Sequence, residues 1–383
     1  MNSKIEIQKF KRGKSICILL IIIGFISKII LFPVKTGDYI GFLQPWLEFI
    51  KTHGYFSSLK YGFYDYTPSY IYILAIIAKI GFNPLYSVKL VSIFFEYLLA
   101  FFIGKIAYQK YKNNLHIWIA MAVIPLLPSV LLNSSYLSQC DSIYAAFTLG
   151  SVFFILNKEH LLSCLFLGIA FAFKMQTVMI LPFFFIMMLR GGIRWYYFLV
   201  TPFVFVISLI PAWFLGRSFS DLLSVYISQT DHYHYLTLNF PNLYFLISNN
   251  YYEPVKIAGI LTTTLITLFT GVWLSSKKFI FSFEIWIRLA FLSAVIIPFL
   301  LPGMHERYLY LGDVLGVLYF LVLRKNIHLP LGILFVSFYS YIRCSRFNDI
   351  LPMEPAFFVY LSVIVFTTFD LIKSLKNESN PVK

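Results

Sequence analysis

Five groups of residues carry side chains able to do chemistry in an otherwise apolar chain. Asp38 follows a glycine just past the first apolar segment. A carboxylate there either caps the helix that follows or acts as a general base that takes a proton from a hydroxyl. Gln139-Cys-Asp141-Ser142 opens a second helical pattern, where Asp141 either caps the helix or orients a bound molecule or Asp38's partner. Lys174, with Gln176 two positions on, breaks a long apolar run. A lysine at membrane depth is costly and marks a functional site by default, with snorkelling to the interface as the plain alternative; its ammonium suits a phosphate. His305-Glu306-Arg307 sets an acid between two possible cations beside Pro302. It forms either a local ion pair at a helix start or a phosphate clamp in which Arg307 offers forked donors. His232, His234 and Tyr235 suit ring stacking and hydrogen bonding to a polar ligand, or else belong to a solvated loop.

The elements that must hold these groups are read from hydropathy. Ser15 to Val34 is a first span; the basic N-terminus before it reads as cytoplasmic and the segment as uncleaved. Asp38 then lies in a wet stretch, 35–67, expected as the first outer loop. Tyr39, Phe42, Leu43, Trp46 and Ile50 fall at helical spacing there, with Gln44, Glu48 and Lys51 on another face. This fits an interfacial amphipathic helix bent or begun at Pro45. Tyr61–Tyr66 resembles an aromatic belt. Pro68–Phe82 is short and reads as re-entrant. Val88–Tyr108 is long enough to cross, His116–Leu132 rises outward, and Ile143–Leu156 descends. Leu161–Leu189 is expected as two short helices broken at Lys174, and 216–254 is a second long outer loop. The whole is expected as one all-α, polytopic transmembrane bundle over 1–383, with about 11–13 membrane segments by hydropathy, some of them short or re-entrant. Basic residues at Lys110–Lys112, Arg190–Arg194, Lys277-Lys278 and Arg324-Lys325 mark cytoplasmic turns. This count sets Asp38, Asp141, Lys174, the His/Tyr loop around Asp231 and His305–Arg307 on the other side.

Composition agrees. The 383 residues are 59% hydrophobic and 13% charged, with mean hydropathy +0.77; soluble domains carry about 25% charged residues. The net charge of +14 sits in short loops between spans. It fits the positive-inside bias and anionic membrane lipids as partners, not nucleic acid. Four scattered cysteines show neither a disulfide framework nor a zinc site, and no ligand cluster argues for a divalent metal.

Five motifs in order carry a resemblance. They are the stretch from Gly37-Asp38-Tyr39 through HGYFSSLKYGFYDYTP, then YLSQCDSIY (136–144), AFKMQTVMILP (172–182), LNFPNLYFL (238–246) and PGMHERYLYLGDVLGVLY (302–319). Together they resemble the bacterial relatives of the GPI-anchor type mannosyltransferases, integral-membrane glycosyltransferases of GT-C fold. The resemblance covers roughly Gly37 to Tyr319. It implies GT-C architecture, a polyprenyl-phosphate sugar as donor, a glycan or lipid-linked acceptor, no cofactor, and inverting transfer of a hexose, mannose favoured, at the extracytoplasmic face of a bacterial cell membrane. It implies that Asp38 is the essential acidic residue of the first outer loop, and it places Asp141, Lys174, Gln176, His305, Glu306 and Arg307 on later motifs. In such a reaction Lys174, His305 and Arg307 are expected at the donor phosphate, and Gln139, Asp141, Gln176, Glu306, His232, His234 and Tyr235 at the sugar or the acceptor. The family sometimes carries an acidic pair in that loop. Here Asp38 is followed by Tyr39, so a second carboxylate would come from Glu48, Asp65 or Asp141. Other readings of the same features are a flippase for lipid-linked saccharides, a polysaccharide polymerase or ligase, and a non-catalytic membrane subunit.

Overall fold

Long runs of Leu, Ile and Phe with few charges solve their backbone hydrogen bonding best as helices, because a helix pairs its own N–H and C=O groups without water. The computed structural model, which describes residues 2–230, 233–346 and 350–379, is helical almost throughout. In chain order the helices are α1 (Asn2–Ile30), α2 (Gln44–Thr52), α3 (Pro68–Ile80), α4 (Pro84–Tyr111), α5 (Leu115–Val123), α6 (Pro128–Leu131), α7 (Asp141–Leu156) and α8 (His160–Phe173). After these come α9 (Leu181–Leu189), α10 (Val200–Phe214), α11 (Phe219–Thr230), α12 (Tyr252–Ser276), α13 (Phe283–Leu300), α14 (Tyr310–Leu323), α15 (His328–Arg346) and α16 (Glu354–Ser379).

Among the described residues, six helices are long and apolar enough to cross a membrane, at Phe10–Ile30, Pro84–Tyr111, Trp195–Phe214, Asn249–Ser276, Phe283–Leu300 and Glu354–Ser379. A bent pair, Leu115–Leu126 with Pro128–Tyr136, makes a seventh if it is one span, and five apolar helices are shorter. By length and composition the chain is an all-α polytopic membrane bundle.

The chain forms two compact, interleaved units: Met1–Met175 with Phe198–Gln229, and Gln176–Tyr197 with Thr230–Lys383. In the first, α7 packs on α4 and α8, α4 on α5, α1 on α5, and α8 on α10. In the second, α13 packs on α14 and α16, α15 on those same two helices, and α9 on α12 and α13. Two short strands, β1 (Thr237–Leu238) and β2 (Met304–His305), pair in parallel within the second unit, Thr237 opposite Met304 and Leu238 opposite His305.

Three boundaries depart from the sequence reading. The first span closes at Ile30, short of Val34, because a residue preceding proline, here Phe32 before Pro33, is pushed out of helical geometry. The rise over His116–Leu132 is not one straight helix but bends by 60°. Leu127 adopts ψ 134° ahead of Pro128, which interrupts the ladder there. The stretch 216–254 is no plain loop: α11 buries Leu222, Val225 and Tyr226, the i, i+3, i+4 pattern of an amphipathic helix.

Candidate active site

Asp38 stands where the first span has ended and the next helix begins. Its approach is held by Lys89, near the start of α4. The buried Nζ of Lys89 donates to the carbonyls of Leu31 (2.9 Å), Phe32 (3.1 Å) and Val34 (2.8 Å). These carbonyls lie at and just beyond the C-terminus of the helix, where intrahelical donors run out and a cation is the favoured partner; that of Leu31 also accepts from the Val34 N–H at 3.1 Å. Asp38 itself has helical φ and ψ, and its carboxylate makes no capping hydrogen bond. The capping reading is therefore corrected: the side chain is spent elsewhere.

The helix after Asp38 opens as a π-turn, Tyr39–Leu43, and continues as α2. Leu43, Trp46, Leu47 and Ile50 are buried, as the amphipathic spacing requires. A row of rings on α2 packs on the 61–66 segment, with Trp46 5.6 Å from Tyr66 and Phe49 4.3 Å from Phe63. The expected aromatic belt is thus divided: Tyr61 is exposed, whereas Tyr64 is buried and Tyr66 half-buried within the first unit. Tyr39 holds its phenol proton more tightly than usual, because of burial and then the charge of Glu48. Glu48 itself pairs with Gln44 at 2.9 Å on an exposed face.

Asp38 meets Gln139, whose Nε2 donates to Asp38 Oδ2 at 2.6 Å. The other end of the same carboxamide accepts from the Tyr66 hydroxyl at 3.3 Å; the carboxylate, which can only accept, sets which way the amide points. The backbone around Gln139 is fastened as well. Its N–H donates to the Asn133 carbonyl at 2.9 Å, and its carbonyl accepts from Ser92 at 2.8 Å. Just before it, Leu132–Tyr136 forms a second π-turn, and the buried Ser138 is left-handed at φ 61°. Such a conformation costs a non-glycine residue on the order of 1 kcal/mol, and both π-turns and strained residues concentrate at functional sites.

Behind Tyr66 lies the ion pair. Lys174 Nζ sits 2.7 Å from Asp141 Oδ1 and 5.2 Å from the centroid of the Tyr66 ring. Asp141 Oδ2 accepts from Asn133 Nδ2 at 2.6 Å. Lys174 and Asp141 are 5% and 1% exposed, so Lys174 does not snorkel. Nor is Asp141 a cap: Cys140 occupies that place, and Asp141 is the first helical residue of α7. Lys174 is presented by the expected break. It is extended (φ −151°, ψ 138°) at the end of α8, and a 3-10 turn over Met175–Ile180 follows. The carbonyls that α8 leaves open are met by side chains: Thr67 donates to Ala172 at 2.6 Å, and the Tyr226 hydroxyl of α11 donates to Phe171. Asp38, Gln139, Tyr66, Lys174, Asp141 and Asn133 thus form one connected polar network in the first unit. Asp38, half-buried, is the member that reaches furthest towards solvent along with Tyr66. Of the possible second carboxylates, Asp141 belongs to this network; Asp65 is exposed, and its carbonyl accepts from Gln229.

The second unit holds the remaining sequence-derived candidates. Arg307 Nη1 donates to Glu306 Oε1 at 2.7 Å, and His305 Nδ1 lies 3.8 Å from Glu306 Oε2. The local ion pair is therefore present. Burial alone would push the Glu306 carboxyl up, but the Arg307 and His305 charges outweigh it and hold the group down at about 2. Tyr233 and Tyr308 flank His305, with ring centroids at 5.4 and 5.1 Å. His234 and Tyr235 are exposed, His234 lying 5.3 Å from the Tyr252 ring. Gln176 is half-buried. His232 and Asp231 lie outside the described residues. Among the described residues no three His, Cys, Asp or Glu side chains are grouped as a metal site.

Sequence reasoning passed over three features. Lys28 and Glu96, both fully buried, pair at 2.8 Å between α1 and α4. Arg288 pairs with Asp370 at 2.7 Å in the second unit. Lys89 is the third. Each is a charge inside an apolar segment, the signal that drew attention to Lys174. Against the known proteins, no family model, no curated protein and no solved structure matches the chain.

Proposed function

We propose that the protein is a membrane glycosyltransferase of GT-C architecture, related to the GPI-anchor type mannosyltransferases, that moves a hexose, mannose favoured, from a polyprenyl phosphate to a glycan or lipid-linked acceptor. Asp38 is the general base. The acceptor hydroxyl attacks the anomeric carbon, its proton passes to the Asp38 carboxylate, and the bond from that carbon to the phosphate oxygen breaks with inversion. The polyprenyl phosphate leaves with the electron pair. Arg307 and His305 are assigned to the donor's phosphate by their motif, where positive charge meets the charge that grows in the transition state. The reaction is placed on the extracytoplasmic face of a bacterial cell membrane, from the basic turns and the resemblance.

One observation carries the reading: the Asp38 carboxylate, set at the end of the first span, does not cap its helix and is held by a neutral amide at 2.6 Å. A capping aspartate has its oxygen on the backbone; this one is positioned from the side and half open. The test uses purified protein in liposomes with a radiolabelled polyprenyl-phosphate hexose. A transferase releases free polyprenyl phosphate, a flippase moves intact donor, and a ligase consumes a pyrophosphate-linked glycan. A general base contributes about 10²–10⁴-fold, so Asp38→Asn is expected to cut turnover by that order with the fold retained. Asparagine caps helices as well as aspartate, so near-normal transfer by Asp38→Asn overturns the proposal.

A further inference from the structure

Gln139 sits in the motif read from sequence as contacting sugar, yet its geometry is that of a part already engaged. It is 8% exposed. Its Nε2 is committed to Asp38 at 2.6 Å and its Oε1 to the Tyr66 hydroxyl at 3.3 Å. Its backbone is pinned from Asn133 on one side and Ser92 on the other. We infer that Gln139 is the positioning residue of Asp38, with Tyr66 as the anchor of its far end, and does not contact the sugar. This rests on the reading of Asp38 as the base.

The physical argument runs through the amide. A carboxamide beside a carboxylate serves only if its NH₂ end, not its oxygen, faces the charge. The Asp38 carboxylate can only accept, so it draws the Nε2–H end of the amide; the Tyr66 hydroxyl, able to donate or accept, then donates to the Oε1 left facing it and anchors that end. The Lys174 ammonium over the Tyr66 ring, at 5.2 Å, draws charge from that ring. Linked hydrogen bonds polarise one another, so the ring strengthens the hydroxyl as a donor and the amide in turn. The Lys174–Asp141 pair, 2.7 Å apart and buried, thereby acts on Asp38 through two intermediaries. Its ammonium already faces a carboxylate, which places Lys174 among the supports of the base in preference to the phosphate site drawn from sequence.

A residue that acts through Asp38 has no effect once the carboxylate is gone; a residue that touches substrate keeps its effect. A double-mutant cycle separates the two. Turnover and KM are measured with polyprenyl-phosphate mannose for the wild type, Asp38→Asn, Gln139→Leu and the double variant. Loss of a hydrogen bond to a charged group corresponds to a factor of about 10–100. Gln139→Leu is expected to lower kcat by that factor with donor and acceptor KM within about twofold, and to change the Asp38→Asn enzyme less than about twofold. Tyr66→Phe is expected to follow the same pattern with a smaller loss. Equal factors in both backgrounds, or a loss that appears in KM, overturns the assignment. If Gln139→Leu melts early, Gln139→Glu takes its place; it keeps an acceptor for Tyr66 but sets an acid against Asp38, and its loss of kcat must likewise vanish in the Asp38→Asn background. Full activity of Asp38→Asn overturns the base itself, whereas an additive cycle with an impaired Asp38→Asn overturns only the role of Gln139.

Discussion

A lysine at membrane depth must reach water or find an anion, and Lys174 has found Asp141. Removing one member of a buried pair costs roughly 3–5 kcal/mol, while removing both charges costs far less. Lys174→Met is therefore expected to destabilise the detergent-solubilised protein by that order in a denaturation experiment. Lys174→Met combined with Asp141→Asn should recover most of the loss, since asparagine can still accept from Asn133. Equal stability of the single and double variants would refute the coupling. At this scale the sequence was readable in part. Asp38, Gln139, Asp141 and Lys174 stand out as polar groups among apolar ones. Their partnerships do not: Asp38 and Gln139 are 101 positions apart and Asp141 and Lys174 are 33 apart, and no local pattern encodes a contact made by packing. Lys28 and Glu96 were open to the same inference as Lys174, because each lies inside an apolar run.

At the scale of elements, the end of α1 matters most, because Asp38 is only a few residues beyond it. Lys89 holds three carbonyls there; that of Leu31 would keep the Val34 N–H, but a buried acceptor left without a donor costs about 1–3 kcal/mol. Lys89→Met is therefore expected to loosen the segment from Leu31 to Tyr39 without unfolding the bundle. Hydrogen exchange of its amides should rise about tenfold or more, with the α7 amides unchanged; unchanged exchange at both would remove Lys89 from that role. Most helices were legible, since apolar runs bounded by Pro, Asn and Lys set most of their ends within a few residues, and the polar break at Lys174 announced itself; α11, inside an expected loop, and the start of α1 at Asn2 in place of Ser15 were not. The two π-turns were not. A π-turn is one residue's worth of misfit absorbed by the fold, and nothing in Tyr39–Leu43 or Leu132–Tyr136 distinguishes them from ordinary helix. The prolines at 125 and 128 marked the bend, but its 60° came only with the structure.

For the molecule as a whole, the decisive property is which end of the bundle faces which side of the membrane. In the first unit, Lys89 ties the start of α4 to the end of α1, while Gly13 near the other end of α1 lies against Leu115, just past the end of α4. The two helices therefore run antiparallel, and α4 is about 42 Å long by its 28 residues. Lys35 and Lys112, both exposed, mark the opposite ends. Cys17, Cys140 and Cys164 are buried, and Cys344 is exposed, so a background lacking Cys344 suits labelling. In intact cells an impermeant maleimide is expected to label Lys35→Cys, and Lys112→Cys only after permeabilisation. The reverse result would move the Asp38 network to the cytoplasmic side and refute the proposed orientation.

The interleaving of the two units also dictates an order of assembly. The segment Gln176–Tyr197 emerges from the ribosome before Phe198–Gln229, yet it belongs to the unit made last. Helix α10 can dock on α8 as soon as it is inserted, whereas α9 must wait for α12, which ends 87 residues later. At about 5–20 residues per second that wait is roughly 4–17 s. Through it, Arg190 lacks the carbonyls of Lys277 and Phe279 that it later bonds. Biogenesis therefore demands that the insertion machinery hold α9 aside for its own unit while α8 and α10, on either side of it in the chain, close on each other.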